Sequence, residues 1–395
     1  MFNRRSLVVD STAFAAALSL FGGASKTQAA GTNAKPPGDV EARGAIGRLE
    51  RLPELDMESR QDFMQGLTAF AKNSGPLGVA RNERAAAILA ARGLDPTKTL
   101  PLEQAHALFD SDPVIGMQDR IWYSAHNYEH DLLDGWFRRN ADRMRAEMDA
   151  ADHAGPGRLE LDPTLAIPDY ARHEIHQQPG GYVGNAFAGH IYHYATNMFY
   201  RGTNNQDERH VGYAAGCPLP RDGQIRRVLD LGCGIGQLTV AMKERFPEAE
   251  VIGLDLAAPM LRYGHMRASE LGSDVTFTQR LAEDTRYPDG HFDVVISYIM
   301  FHEVTADASR KIIAEAFRVL RRGGVFYPMD FNQSAAPSAF GAYRVWKDHH
   351  WNNERWRLEY ASVDFDGEMR RVGFAVQDQS EPNSGFGKLI GTKPA

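Results

Sequence analysis

The sequence predicts an α/β fold: a doubly wound, mostly parallel sheet in the C-terminal half, preceded by a helical N-terminal region. Three observations carry this prediction. From Ile225 onward, short apolar runs alternate with segments of helical period, as strands and crossover helices do. The first run, Val228-Leu229-Asp230-Leu231, passes straight into a glycine-spaced turn, Gly232-Cys233-Gly234-Ile235-Gly236, and an apolar helix start. Residues 48–155, by contrast, show helical periodicity and no strand pattern.

In chain order, residues 31–47 are rich in Gly, Pro, Ala and charge and read as a linker. Helices are expected over 56–72, 82–92 and 102–109, broken at Ser74-Gly75-Pro76 and Asp95-Pro96. The longest helical pattern is 120–151, with Ile121, Tyr128, Leu132, Trp136 and Phe137 on one stripe. Ala154-Gly155-Pro156-Gly157 marks a boundary, so 156–224 is a separate segment rich in tyrosine and histidine, with a helix over 187–199. Strands are expected at 227–231, 250–255, 275–280, 292–298 and 325–331. Helices at 236–246, 260–271 and 309–320 lie between them, the last stopped by Gly323-Gly324. After an insert, 335–362, come a helix at 364–371 and an antiparallel pair at 374–379 and 388–392. That makes seven strands, with 225–395 as one domain.

The chemistry collects at the carboxyl ends of those strands, where open α/β sheets bind ligands. Glycines let backbone N–H groups approach a ligand at a helix N-terminus. A dinucleotide loop would need glycine where Gln237 stands. Asp255 ends the second strand, 25 positions after Asp230, where a carboxylate can accept from ribose hydroxyls or cap the next helix.

The spacing acidic-x-G-x-G-x-G over Asp230, Gly232, Gly234 and Gly236 resembles motif I of the class I S-adenosylmethionine (SAM) dependent methyltransferases. Ala282-Glu283-Asp284 followed by His291-Phe292-Asp293 resembles the family's third and fourth motifs, and Ala316 to Gly324 its last. The resemblance covers about residues 225–335. It implies a Rossmann-like fold, SAM as cofactor, and cofactor contacts from Asp230, Gly232, Gly234, Gly236, Asp255, Leu256, Met260, Ala282, Glu283 and Ser297. Leu281 stands where the family carries an adenine-binding Asp or Asn. It cannot accept from the adenine amino group, so Glu283 or Asp284 is expected to do so.

Ser297-Tyr298-Ile299-Met300-Phe301-His302-Glu303 ends the fourth strand, where methyl group and acceptor meet in the family. An Asn/Asp-Pro-Pro-aromatic tetrapeptide is absent there, and so is a Pro-Cys pair, which weighs against adenine or glutamine amino groups and cytosine C5. His302 is the expected general base, since a neutral imidazole can take a hydroxyl proton near pH 7; the alternative is a histidine with a structural role. Tyr182, Tyr192, His193, Tyr298 and Trp346 are the expected acceptor pocket. The insert, holding Trp346, Trp351 and Trp356 of the chain's five tryptophans, is expected to form an aromatic lid. The expected reaction is methyl transfer to oxygen or carbon of a small or medium, apolar or aromatic acceptor. The alternatives are a catalytically silent SAM-fold binding or regulatory protein, and a protein or nucleic-acid methyltransferase.

The net charge of −7 weighs against nucleic-acid partners, and no apolar run has transmembrane length. Two cysteines, Cys217 and Cys233, make no disulfide framework. His126/His130 and the pairs His173/His176 and His190/His193 have spacings compatible with a metal, but equally with helix contacts or a polar wall over the cofactor; no metal is expected. Arg4-Arg5 ahead of an apolar run, with Thr27-Gln28-Ala29-Ala30 behind it, resembles a twin-arginine export signal over residues 1–30. The expected location is therefore the periplasm. A frayed alanine-rich terminus on a cytoplasmic protein is the alternative.

Overall fold

The computed structural model describes residues 44–72, 74–200, 202–331, 338–380 and 386–395. The export-signal segment and most of the expected linker lie outside them. Residues 43–395 form one compact unit.

The helical region opens with a two-residue hairpin, β1 (Ala45–Ile46) and β2 (Leu49–Glu50). Helices α1 (Leu55–Ala71), α2 (Pro76–Ala91) and α3 (Leu102–Phe109) follow. The second starts earlier than the apolar pattern suggests, because Pro76 occupies its first turn, where a missing N–H costs nothing. The expected long helix is two: α4 (Pro113–Arg139) and α5 (Ala141–Ala151), separated at Asn140. Asp112 caps α4 by accepting from the Val114 and Ile115 N–H groups. Its buried face runs through Ile115, Ala125, Glu129, Leu133, Trp136 and Phe137, leaving Ile121, Tyr128 and Leu132 only half-buried.

The sheet has the seven expected strands and an eighth. Its order is β3-β6-β5-β4-β7-β8-β10-β9, with β3 at Arg158–Glu160, β4 at Arg227–Leu231, β5 at Glu250–Asp255 and β6 at Thr276–Gln279. The others are β7 (Phe292–Tyr298), β8 (Leu320–Phe331), β9 (Ala375–Asp378) and β10 (Phe386–Thr392). Pairing is parallel from β3 to β8 and antiparallel from β8 to β9. The unanticipated strand is β3, from the segment before the glycine loop: it covers the outer edge of β6, with Leu159 opposite Phe277.

Strand side chains alternate between two cores, as a period of two requires. Leu229, Leu231 and Val295 face one with α10 (Ala306–Val319), while Val228, Val294 and Ile296 face the other with α8 (Gln237–Arg245). Before α8 come α6 (Ala188–Tyr200) and α7 (Glu208–Gly216), and between α8 and α10 comes α9 (Ala258–Glu270). After β8 come α11 (Ala339–Trp351), α12 (Arg357–Ser362) and α13 (Phe365–Val372).

The expected glycine stop after α10 is corrected. That helix ends at Val319, and Leu320 is already extended and paired with Phe292. Gly323, at φ +75°, instead belongs to an irregularity of β8, since the next paired residue after Leu320 is Val325.

Candidate functional site

A cavity of about 1100 Å³, counting its open mouth, lies at the carboxyl ends of β4, β5 and β7. Strand β4 is the switch point, since the chain steps outward through β5 and β6 and then returns to its other side as β7. Gly232, Gly234 and Gly236 turn the chain from β4 into α8 with φ of +65°, +53° and +72°. A methyl group on Gly232 or Gly236 would collide with Met300 or Phe277. On Gly234 it would meet nothing closer than the Met260 Cε at 3.8 Å, so this glycine leaves its flank open to the cavity it lines.

Asp255 is tied to the loop. Its Oδ2 accepts from the Gly234 N–H at 2.9 Å and its Oδ1 from the Ala257 N–H at 2.8 Å. Burial raises its carboxyl above the usual range, against the pull of these donors. Leu256, Ala257 and Met260 continue the wall. Asp230, 1% exposed, takes the Thr239 hydroxyl at 2.7 Å. Burial first, and the neighbouring Asp255 charge with it, push its carboxyl up to about 7.

Ala282 and Glu283 line the cavity beyond Asp255, whereas Leu281 does not. Tyr170, from the segment before the glycine loop, donates its hydroxyl to Glu283 Oε1 at 2.6 Å. Glu283 Oε2 is buried and has no partner among the described residues. An acceptor atom is thus left at the place where Leu281 offers none.

Tyr182, Tyr192 and Tyr298 also line the cavity, with His173, His210 and Glu303, and the first two pack against the Leu256, Ala257 and Met260 wall. The Tyr182 and Tyr192 rings meet edge to face at 5.8 Å. Burial raises both phenols and lowers the His173 and His210 imidazoles, the latter to about 4. Ile299, at the end of β7, has φ +48°, a costly conformation for a β-branched residue.

Five expected site residues lie outside this lining, the first being Gly236, whose flank is taken up by the Phe277 ring. His302 is 3% exposed; its Nδ1 donates to Asp330 Oδ1 at 2.7 Å, and its Nε2 is 3.7 Å from Glu303 Oε1. Glu303 is thus the side chain of this pair that lines the cavity. His193 is buried on Tyr263, with Nδ1 and hydroxyl 2.6 Å apart. Ser297 is buried within β7, and its hydroxyl has no partner among the described residues. Trp346 stacks on His106 and His350 at 3.7 and 4.1 Å and donates to Glu103 Oε1. It therefore fastens α11 to α3 and is no part of a lid over this cavity. Of the histidine pairs, His190 and His193 both pack on Tyr263, the His126 and His130 rings lie 4.4 Å apart, and His173 sits on the Tyr170 carbonyl. Among the described residues, no group of three or more His, Cys, Asp or Glu could hold a metal.

Sequence reasoning missed Tyr170, Asp330 and Glu354, gave Glu303 no role, and paired His176 with His173 instead of with Glu303 and Glu354. The signal for Glu303 was its position beside His302 at the end of a strand. The others act across long stretches of chain and left none.

Fold and site together define an α/β domain with an adenosyl-type cofactor cleft. Residues 228–324 match the family model described as "Methyltransferase domain". This segment is a methyltransferase domain of the SAM-dependent type, and SAM is its cofactor. The chain is 39% identical over 122 residues to a demethylmenaquinone methyltransferase of Thermus thermophilus, covering 31% of this chain and 54% of that protein. It is 34% identical to a demethylmenaquinone methyltransferase of Deinococcus radiodurans, covering 31% and 51%. It is 33% identical to a ubiquinone/menaquinone biosynthesis C-methyltransferase of Dinoroseobacter shibae, covering 32% and 50%. The chain thus spans about half the length of these curated relatives.

Proposed function

We propose that the protein transfers a methyl group from SAM to oxygen or carbon of a small, apolar or aromatic acceptor. The observation that carries this reading is one cavity lined both by the joined Gly234 and Asp255 and by Tyr182, Tyr192 and Tyr298. The names of the relatives, which speak of demethylmenaquinone and of C-methylation, support a ring as acceptor and carbon as the atom methylated.

SAM supplies an activated methyl group that a nucleophile takes by in-line displacement. The residues present fit it. Asp255 would accept from the ribose hydroxyls through lone pairs its two backbone donors leave free, and the unpartnered Glu283 Oε2 would accept from the adenine amino group. Asp230 offers negative charge to the cationic end. The tyrosines attract the sulfonium through their ring faces and keep water from the reacting atoms. The acidic net charge supports a small-molecule partner over nucleic acid. The Arg4-Arg5 segment supports export to the periplasm, to be tested by fusing residues 1–35 to a reporter and fractionating the cells; a purely cytoplasmic reporter ends that part of the proposal.

The decisive test is calorimetric titration with SAM, followed by transfer of labelled methyl to a panel of hydroquinones, phenols, amines and thiols. Saturable binding and a labelled ring product are expected. Failure to bind SAM overturns the reading, and binding without transfer to any member favours a silent SAM-fold binding protein.

A further inference from the structure

Five titratable side chains stand in one row, and a single one of them lines the cavity. Asp330, near the end of β8, accepts the His302 Nδ1–H at 2.7 Å and also the backbone N–H groups of Phe301 and His302. His302 Nε2 is 3.7 Å from Glu303 Oε1. The same Oε1 is 3.5 Å from His176 Nε2, and His176 Nδ1 is 3.3 Å from Glu354 Oε1. The order is Asp330, His302, Glu303, His176, Glu354, alternating acid and base. Four chain segments supply it: the strap before α6, the turn after β7, the end of β8, and the insert between α11 and α12.

Simple bracing explains this row poorly. Asp330, His302 and Glu354 are 5%, 3% and 5% exposed, and burying ionisable groups costs free energy unless they are fully paired. Here the pairing is incomplete, since Glu354 Oε2 has no partner among the described residues. His176 and Gln177 hold left-handed backbone at φ +51° and +57°, as does Ile299, four residues before Glu303, at +48°. Such strain persists where surrounding structure enforces it, and it gathers at functional sites. Burial opposes charging His176 and His302, yet their carboxylate neighbours win; the His176 imidazole is raised to about 9 and that of His302 is raised as well.

We propose that Glu303 is the catalytic base, that His302–Asp330 and His176–Glu354 position and stabilise it, and that the acceptor is accordingly a hydroxylated ring. This rests on the methyltransferase reading above. The acceptor O–H bond breaks and its proton passes to the Glu303 carboxylate. The electron pair left on oxygen attacks the sulfonium methyl directly, or through the ring carbon that oxygen activates. The C–S bond breaks, and the products are methylated acceptor, S-adenosylhomocysteine and one proton. In the ring-carbon case that proton is finally the one lost from the ring C–H, the ring oxygen regaining its own. Glu303 is suited to the task by place: it is next to the end of β7, with Tyr182 and His173 of the strap, Tyr192 of α6 and Asp255 of β5 as the other titratable groups of the cavity near it.

The test compares wild type with Glu303→Gln and Glu303→Asp. SAM affinity by calorimetry is expected to stay within a few-fold in all three, which also reports folding. For a hydroquinone acceptor, kcat is expected to fall about 10²–10⁴-fold in Glu303→Gln, the range of a lost general base, and to recover in part in Glu303→Asp. The acid limb of the wild-type kcat profile is expected to vanish in Glu303→Gln. A readout without turnover uses 4-nitrophenol bound beside S-adenosylhomocysteine: a carboxylate facing its hydroxyl disfavours the phenolate, so its ionised absorption band is expected at higher pH in wild type than in Glu303→Gln. Unchanged kcat and pH profile in Glu303→Gln overturn the proposal, as does methylation of amines or thiols alone, or ionisation of bound 4-nitrophenol at the same pH in wild type and Glu303→Gln. Loss of SAM binding by wild type would instead overturn the methyltransferase reading itself.

Discussion

Gly234 and Asp255 are joined by a 2.9 Å hydrogen bond from backbone N–H to carboxylate, so the glycine turn and the end of β5 form one rigid cradle. Asp255→Ala removes this bond and the one from Ala257. A bond to a charged acceptor contributes about 1.5–3 kcal/mol. SAM affinity is therefore expected to fall by roughly 10²-fold or more, with a lower melting temperature, measured by calorimetry and thermal denaturation. Unaltered affinity would dissociate Asp255 from the cofactor.

Asp230 is expected to make SAM binding depend on pH. Its carboxyl titrates at about 7 in the folded protein because burial favours the neutral form. A cationic ligand beside it favours the anion, so binding expels a proton where the free protein holds one. SAM affinity is expected to rise from pH 6 through about 7 and then level off. Calorimetry in buffers of different ionisation enthalpy should detect the released proton, and Asp230→Asn should abolish the dependence.

Asp207 is the buried joint between the helical region and the glycine-loop helix. It accepts from Gln237 Nε2 at 2.6 Å, pairs with Arg267, and lies 3.6 Å from Arg48. Asp207→Ala leaves Arg267, 2% exposed, charged without its partner. A loss of about 3–5 kcal/mol in unfolding free energy is expected by urea denaturation.

Acid should unfold the protein through its buried histidines. Burial lowers His190 and His130 to about 3 and His126 to about 4. The unfolded chain takes up these protons near 6.5 and the folded chain does not. Their contribution is thus whole above about 6.5 and is lost as pH falls from there toward 3–4. His190 packs among the rings of Phe137, Phe187 and Tyr263. His190→Phe is expected to lessen the stability lost between pH 7 and pH 5, read from urea midpoints at the two values.

The sheet from β4 to β8 was legible because strands buried on both faces read as apolar runs, and because glycine spacing marks a turn that few other residues can make. Asp255 was legible for the same reason: its distance along the chain from Asp230 is set by one crossover. The row through Glu303 was not. Its members are separated by up to 178 positions, Glu354 from His176, and meet only through tertiary packing. His302 attracted notice by its chemistry, yet the packing of β8 turned it toward Asp330. Trp346 was read with its neighbours as a lid because aromatic clusters often close pockets. Its bond to Glu103, 243 positions away, could not be foreseen from the insert alone.

Strand β3 gives the N-terminal half a duty unrelated to chemistry. Arg158–Glu160 occupies the row of backbone donors and acceptors along Thr276–Thr278 that would otherwise lie bare. A fragment trimmed to the region where the family motifs lie would uncover that row and offer it to the next molecule. Such a fragment is expected to aggregate more readily than the longer chain, so the upstream region guards the edge of the sheet it precedes.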